Sequence, residues 1–142
     1  MSQAIKLHYD INAADFSAAG EASSGVKKTL NQLGVNPAVV KRVAIAMYEA
    51  EINAIIHAGG GAADIEITPK KVEVKISDNG PGIPDLEKAM TAGWSTASET
   101  VRELGFGAGM GLPNMRRYTD EMNVESKVGE GTVVTLIVNI DN

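Results

Sequence analysis

The chain has no cysteine among its 142 residues. Disulfide staples, a thiolate nucleophile and cysteine-held metals are therefore excluded. Aromatic residues are scarce, with two Phe, one Trp and three Tyr, so the core must be built from Val, Ile, Leu, Ala and Met. No segment approaches the roughly 20 apolar residues that cross a bilayer. The opening Met1-Ser-Gln-Ala-Ile-Lys6 has no hydrophobic run of signal-peptide length. A basic tract is also missing, and the net charge is −5. Phosphate counterions would not be displaced by such a surface, so nucleic acid is not an expected partner. The expectation is a cytoplasmic protein that engages neither membrane nor nucleic acid. What is present is ordinary for a globular chain, with 44% apolar and 22% charged residues. The length has room for a single domain over residues 1–142 rather than two.

Residues 5–10 alternate, with Ile5, Leu7 and Tyr9 on one face and Lys6, His8 and Asp10 on the other, which predicts a half-buried strand. From Phe16 the period becomes helical through Ala19, Val26, Leu30 and Leu33, with Ser23 interrupting the stripe and Gly34 at the C-terminal cap. Asn36-Pro37 reads as an N-cap followed by proline in the first helical position. The helix so begun is expected to reach about His57 or Ala58 and stop at Gly59-Gly60-Gly61. Alternation over 64–68 and 71–77, joined at Pro69-Lys70, predicts an antiparallel hairpin with Ile65, Ile67, Val72, Val74 and Ile76 inward. A loop-rich stretch over 78–111 follows, with a short helix near 85–92; loops of that length in a small domain tend to be functional lids. A helix over about 112–122 and strands over 123–126 and 132–139, joined by a turn through Gly129 and Gly131, complete the chain. The fold class predicted is an α/β two-layer sandwich, with helices on one face of a mixed, mostly antiparallel sheet.

Three segments can carry chemistry. Glu49 and Asn53 share one helix face a turn apart, and His57 continues the line. An Asn carboxamide can ligate Mg²⁺, and a nearby carboxylate can accept a proton from an attacking hydroxyl. Taken alone, the pair is equally the polar stripe of a surface helix. Asp78 ends a strand before Gly80 and Gly82; it can accept from an exocyclic amine, but the same residues also make a simple turn. The ladder Gly105, Gly107, Gly109, Gly111 is costly in any regular element. It suits bare amides wrapped around an anion at a helix start, or else a mobile loop. It is neither a Walker A loop nor a Rossmann fingerprint.

In order and spacing, Glu49-x-x-x-Asn53, Asp78-x-Gly80-x-Gly82, the 105–111 ladder and Gly129-Glu-Gly-Thr132 resemble the N, G1, G2 and final Gly-Thr boxes of the GHKL ATPase superfamily, the Bergerat fold. The resemblance implies ATP and Mg²⁺ as cofactors, with Asn53 as metal ligand, Asp78 on the adenine amine and Gly80 and Gly82 shaping its pocket. Amides around Gly107, Gly109 and Gly111 would hold the phosphates beneath an ATP lid at about 93–111, Thr132 would support adenine, and Glu49 would be the catalytic base. Among single-domain members, Ala89-Met-Thr-Ala-Gly-Trp-Ser-Thr96, Gly109-Met-Gly-Leu-Pro113 and Asp120-Glu121 resemble the anti-sigma-factor serine/threonine kinases, most of all the RsbT-type switch kinases. That implies a protein kinase phosphorylating a STAS-domain regulator, with a sigma factor or a serine phosphatase as further partner. Two alternatives stay open: a nucleotide-gated binding module without catalysis, and a detached domain that phosphorylates a histidine elsewhere. Related kinases can carry a basic side chain just before the lid glycines; here Leu104-Gly105-Phe106 occupies that place and Arg102 is the nearest cation.

Overall fold

In the computed structural model, which describes residues 4–12, 20–58, 60–78, 111–127 and 130–140, the elements are β1 (Ile5–Asn12), α1 (Glu21–Gln32), α2 (Pro37–Ala58), β2 (Gly60–Ile67), β3 (Lys71–Asp78), α3 (Gly111–Arg117), β4 (Glu121–Lys127) and β5 (Gly131–Asn139). The strands form one sheet in the order β1-β2-β3-β5-β4. Every pairing among them is antiparallel. The helices lie against one face of the sheet, giving the expected two-layer sandwich; the mixed part of the expectation is not found among the described strands.

The two long helices are punctuated as their sequences require. Gly34 takes a φ of 75°, a left-handed conformation that glycine adopts without strain. Its N–H donates to Asn31 O at 3.1 Å while Val35 N–H reaches back to Leu30 O at 3.1 Å. Those two bonds are a Schellman closure. Asn36 then caps α2, its Oδ1 accepting the Ala38 N–H at 2.9 Å, and Pro37 needs no intrahelical donor there.

Register aligns a row of apolar residues from all five strands on the helix side. Leu7 pairs with Ile65 and Ile65 with Val74. Val74 in turn opposes Leu136, which opposes Met122 on β4. Against this row α2 buries Val43, Ala46, Met47, Ala50 and Ala54, α1 buries Val26 and Leu30, and α3 buries Met115. Each large aliphatic side chain so enclosed contributes about 1.5–3 kcal/mol. Met47 and Met115 are therefore core filler, as their spacing suggests.

Two local expectations change. The helix expected to reach 122 stops at Arg117, and Met122 lies on β4 instead. Thr119 Oγ1 donates to Met115 O at 2.9 Å, and Asp120 N–H donates to Ile137 O at 2.9 Å. Those bonds pull the chain out of the helix and into the sheet. The Asp120 carboxylate reinforces the exit by accepting the Asn139 N–H at 2.7 Å and the Arg42 guanidinium at 3.2 Å. Its carboxyl is held below the ordinary aspartate range, chiefly by the Asn139 N–H, with Arg42 adding to it. β2 starts at Gly60 rather than 64; Gly60 and Gly61 already pair with β1. A Cβ on Gly61 would collide with the Ser77 carbonyl, so only glycine lets β2 lie there against β3. Ser23 is buried on α1, a polar residue within the apolar stripe as expected. The first helix is described from Glu21; its expected start at Phe16 lies outside the described residues, as do the helix near 85–92 and all of the 93–111 lid but its last residue.

Candidate functional site

One end of the sheet assembles three polar side chains from three adjacent strands. Asp78 is the last residue of β3 and pairs with Thr132 on β5. Thr132 pairs in turn with Ser126 on β4. Alternation places all three on the helix side, one step beyond Ile76, Val134 and Val124. The Thr132 N–H donates to Asp78 Oδ1 at 3.2 Å. Its hydroxyl lies 2.9 Å from Ser126 Oγ, and Ser126 Oγ donates to the Gly131 carbonyl at 3.3 Å. Gly131 has a φ of 123°, which explains why glycine precedes the threonine.

α2 reaches the same end. It connects through residue 59 to β2, where Ala62 pairs with Ser77, so the C-terminal half of α2 and Asp78 share one side of the molecule. Asn53 and Glu49 are both partly buried on this helix. Burial raises the Glu49 carboxyl above the ordinary glutamate range, and a hydrogen bond with the Asn114 side chain opposes part of that rise. Asn114 belongs to α3, the helix that Gly111 opens. The expected base is therefore tied to the element that follows the glycine ladder.

Glu51, on the opposite side of α2, faces α1. It is only 2% exposed. Its Oε2 accepts the N–H of Gly20 at 2.9 Å and of Ala22 at 3.3 Å, and its Oε1 that of Ser23 at 3.1 Å. Gly20, the N-cap of α1, has no side chain to cap with, so a carboxylate from the next helix satisfies the orphan amides and meets the positive end of the dipole.

With those contacts in view, comparison with known proteins is informative. Residues 13–138 match the family described as Histidine kinase-like ATPase domain. The chain belongs to that GHKL-type family. Among curated relatives, the serine/threonine-protein kinase RsbT of Bacillus subtilis is 34% identical over 127 residues, covering 87% of each chain. The anti-sigma F factor of Geobacillus stearothermophilus is 33% identical over 131 residues, covering 85% of this chain and 86% of that one. Among solved structures, the RsbU and RsbW domains of a Mycobacterium tuberculosis protein align with a TM-score of 0.64 at 17% identity, over 94% of this chain and 31% of that one. The mycobacterial sensor histidine kinase MprB aligns with a TM-score of 0.54 at 15% identity, over 95% and 97%. Both structural likenesses speak for the GHKL-type fold.

Of the residues expected from sequence, Glu49, Asn53, Asp78 and Thr132 lie among the described residues, and the Asp78–Thr132 pair is in direct contact. Gly111 opens α3. Gly80, Gly82, Gly107 and Gly109 lie outside the described residues, as do Trp94, Arg102 and the side chain of His57. Ser126, Asn114 and Glu51 were not singled out by sequence. No three His, Asp or Glu side chains gather to hold a metal among the described residues. A single Asn53 carboxamide fits Mg²⁺ that takes most of its ligands from phosphates and water. It does not fit a cation caged by protein alone. No described helix is long and apolar enough to cross a membrane.

Proposed function

We propose that this chain is an ATP- and Mg²⁺-dependent protein serine/threonine kinase that phosphorylates a STAS-domain regulator in a cytoplasmic partner-switching circuit. The observation that carries the reading is Glu49: a partly buried carboxyl on α2, pushed above its ordinary range by desolvation and hydrogen-bonded to Asn114. A carboxylate with raised basicity is suited to take the proton of an acceptor hydroxyl. The 34% identity to a serine/threonine-protein kinase supports the same reading.

In this proposal Asp78 accepts from the adenine amine, Gly80 and Gly82 shape the adenine pocket, and Thr132 completes it. Backbone amides around Gly107, Gly109 and Gly111 receive the phosphates. Mg²⁺, when bound with Asn53 among its ligands, supplies charge neutralisation at the phosphates. Glu49 orients the acceptor hydroxyl and removes its proton, while the amides stabilise the charge that shifts as the phosphoryl group leaves ADP. Catalysis of this kind is mostly positioning.

A second reading is favoured by the relatives that bear the name anti-sigma F factor. In it the bound nucleotide governs docking to a sigma factor or a serine phosphatase, and turnover is incidental. Incubation with labelled ATP and purified STAS proteins separates the two. The kinase reading expects acid-stable phosphate on Ser or Thr, and a fall of about 10²–10⁴-fold for Glu49→Ala, the usual worth of a general base. Transfer at the parent rate by Glu49→Ala would remove Glu49 from the mechanism. ATP binding with no transfer to any acceptor favours the docking reading, and acid-labile phosphate would point to a histidine acceptor.

A further inference from the structure

We infer that β1 is a docking edge for a second copy of this chain: two β1 strands pair antiparallel about a two-fold axis at His8, joining their five-stranded sheets edge to edge. The inference does not rest on the nucleotide reading of the site.

The sheet order leaves β1 at one edge, and among the described residues no strand pairs with its outer side. Such a side presents a row of N–H and C=O groups, which native proteins blunt with proline, bulges, short strands or charge. β1 runs for eight residues without proline, in continuous register with β2 from Ile5 to Asn12. It does carry charge, but in a pattern that a second copy cancels. Counted outward from His8, the residues match on either side: Leu7 with Tyr9, Lys6 with Asp10 and Ile5 with Ile11. In an antiparallel pair centred on His8 these become cross-strand neighbours, and alternation keeps each pair on one face. The apolar pairs meet on the helix side, where Ile5 is 37% exposed and Leu7 and Tyr9 are only partly covered. Lys6 and Asp10 meet on the solvent side, twice by symmetry. Within one chain they stand four strand positions apart, about 13 Å, too far to pair. Lys6 forms no ion pair among the described residues. The Asp10 side chain is 90% exposed and commits only Oδ1, to His8 at 3.0 Å, which leaves Oδ2 for the lysine of the other copy. Other registers fit less well. Centring on Leu7 sets Lys6 against His8; centring on Tyr9 sets it against uncharged Asn12 and runs Ile5 past the end of the strand. The opposite edge, β4, offers no such match, since centring on Val124 opposes Met122 to Ser126 and Asn123 to Glu125. A strand edge is a small contact, so the pairing is a reversible dimer.

Sedimentation of the full chain over a concentration series tests this. The parent should pass from monomer to dimer as concentration rises. Lys6→Asp and Asp10→Lys each replace two attractive cross-strand pairs with two repulsive ones, and each should weaken dimerisation by about tenfold. The double variant, with Lys6→Asp and Asp10→Lys in one chain, restores opposite charges across the axis and should dimerise like the parent. An equal mixture of the two single variants should also recover dimers, because each chain then faces its complement. The mixture contains the same chains that fail alone, so its recovery separates charge across the interface from a loss of folding. A parent that stays monomeric at every concentration overturns the inference. So do single variants that dimerise as well as the parent, or a mixture that associates no better than its components.

Discussion

Glu49 and Glu51 leave α2 within two residues of each other and meet opposite surroundings. At about 100° per residue their side chains diverge by roughly 200°. Glu51 is enclosed and takes three backbone N–H groups from the start of α1. Those donors are fixed by the helix they begin, so the carboxylate is a structural clasp between α2 and α1. Glu49 is less enclosed yet poorer in partners: desolvation raises its carboxyl and the Asn114 side chain compensates only in part. Burial by itself therefore does not separate structural from reactive acids. The kind of partner does: rigid backbone donors hold Glu51 as a clasp, whereas Glu49 meets one side chain on a neighbouring helix and has its carboxyl raised by burial.

The widest separation between the two is expected when each carboxylate is removed in turn. Glu49→Gln should reduce phosphotransfer by about 10²–10⁴-fold and leave urea unfolding close to the parent. Glu51→Ala should instead lower unfolding free energy by about 3 kcal/mol, because it strands buried amide donors and uncaps α1. Parent-like stability of Glu51→Ala would erase the contrast.

A smaller effect should appear in the pH dependence. The folded chain holds the Glu49 proton more tightly than the unfolded chain. Its contribution to stability is thus present below the unfolded value of 4.5 and is lost as pH rises through the folded value. Ionised Glu49 is the active form of a base, so the acid limb of the transfer rate should lie above 4.5. Asn114→Ala removes the contact that lowers this value and should displace the limb further upward. An unmoved limb would detach Asn114 from the base.

The least effect is expected at His8, on the solvent side of β1. Hydrogen bonds to Asp64 first and Asp10 second raise its imidazole above 6.5. The stabilisation is present below 6.5 and vanishes as pH rises through the folded value. Melting temperatures of the parent and His8→Asn, compared across that interval, should converge at the alkaline end; a constant gap would show that the two carboxylates do not act through the imidazolium.

Sequence exposed the parts of this molecule that are governed by near neighbours. Gly34 and Asn36-Pro37 mark the α1–α2 junction because caps use residues within one turn. The Ile65–Ile76 hairpin is equally legible, since strand alternation shows directly which face is buried. The end of α3 was not legible. Met115, Tyr118 and Met122 are spaced like a helical stripe, and only the distant partners of Asp120, at Arg42 and Asn139, show why the helix stops early. Glu51 is separated by 28 to 31 positions from the amides it caps, so no local pattern announces it. At the site, Asp78 and Thr132 were named as members of two separate boxes, and the sheet shows them bonded. Ser126 had no motif of its own, and its place emerges only from pairing with Thr132.

Because strand residues alternate between faces, the row at 78, 132 and 126 is an address written in the ladder itself. A single residue added or removed between 133 and 138 would transfer the Thr132 hydroxyl to the solvent side while Asp78 stayed in place. Evolution can thus vary the side chains of β5 with some freedom, but not its length.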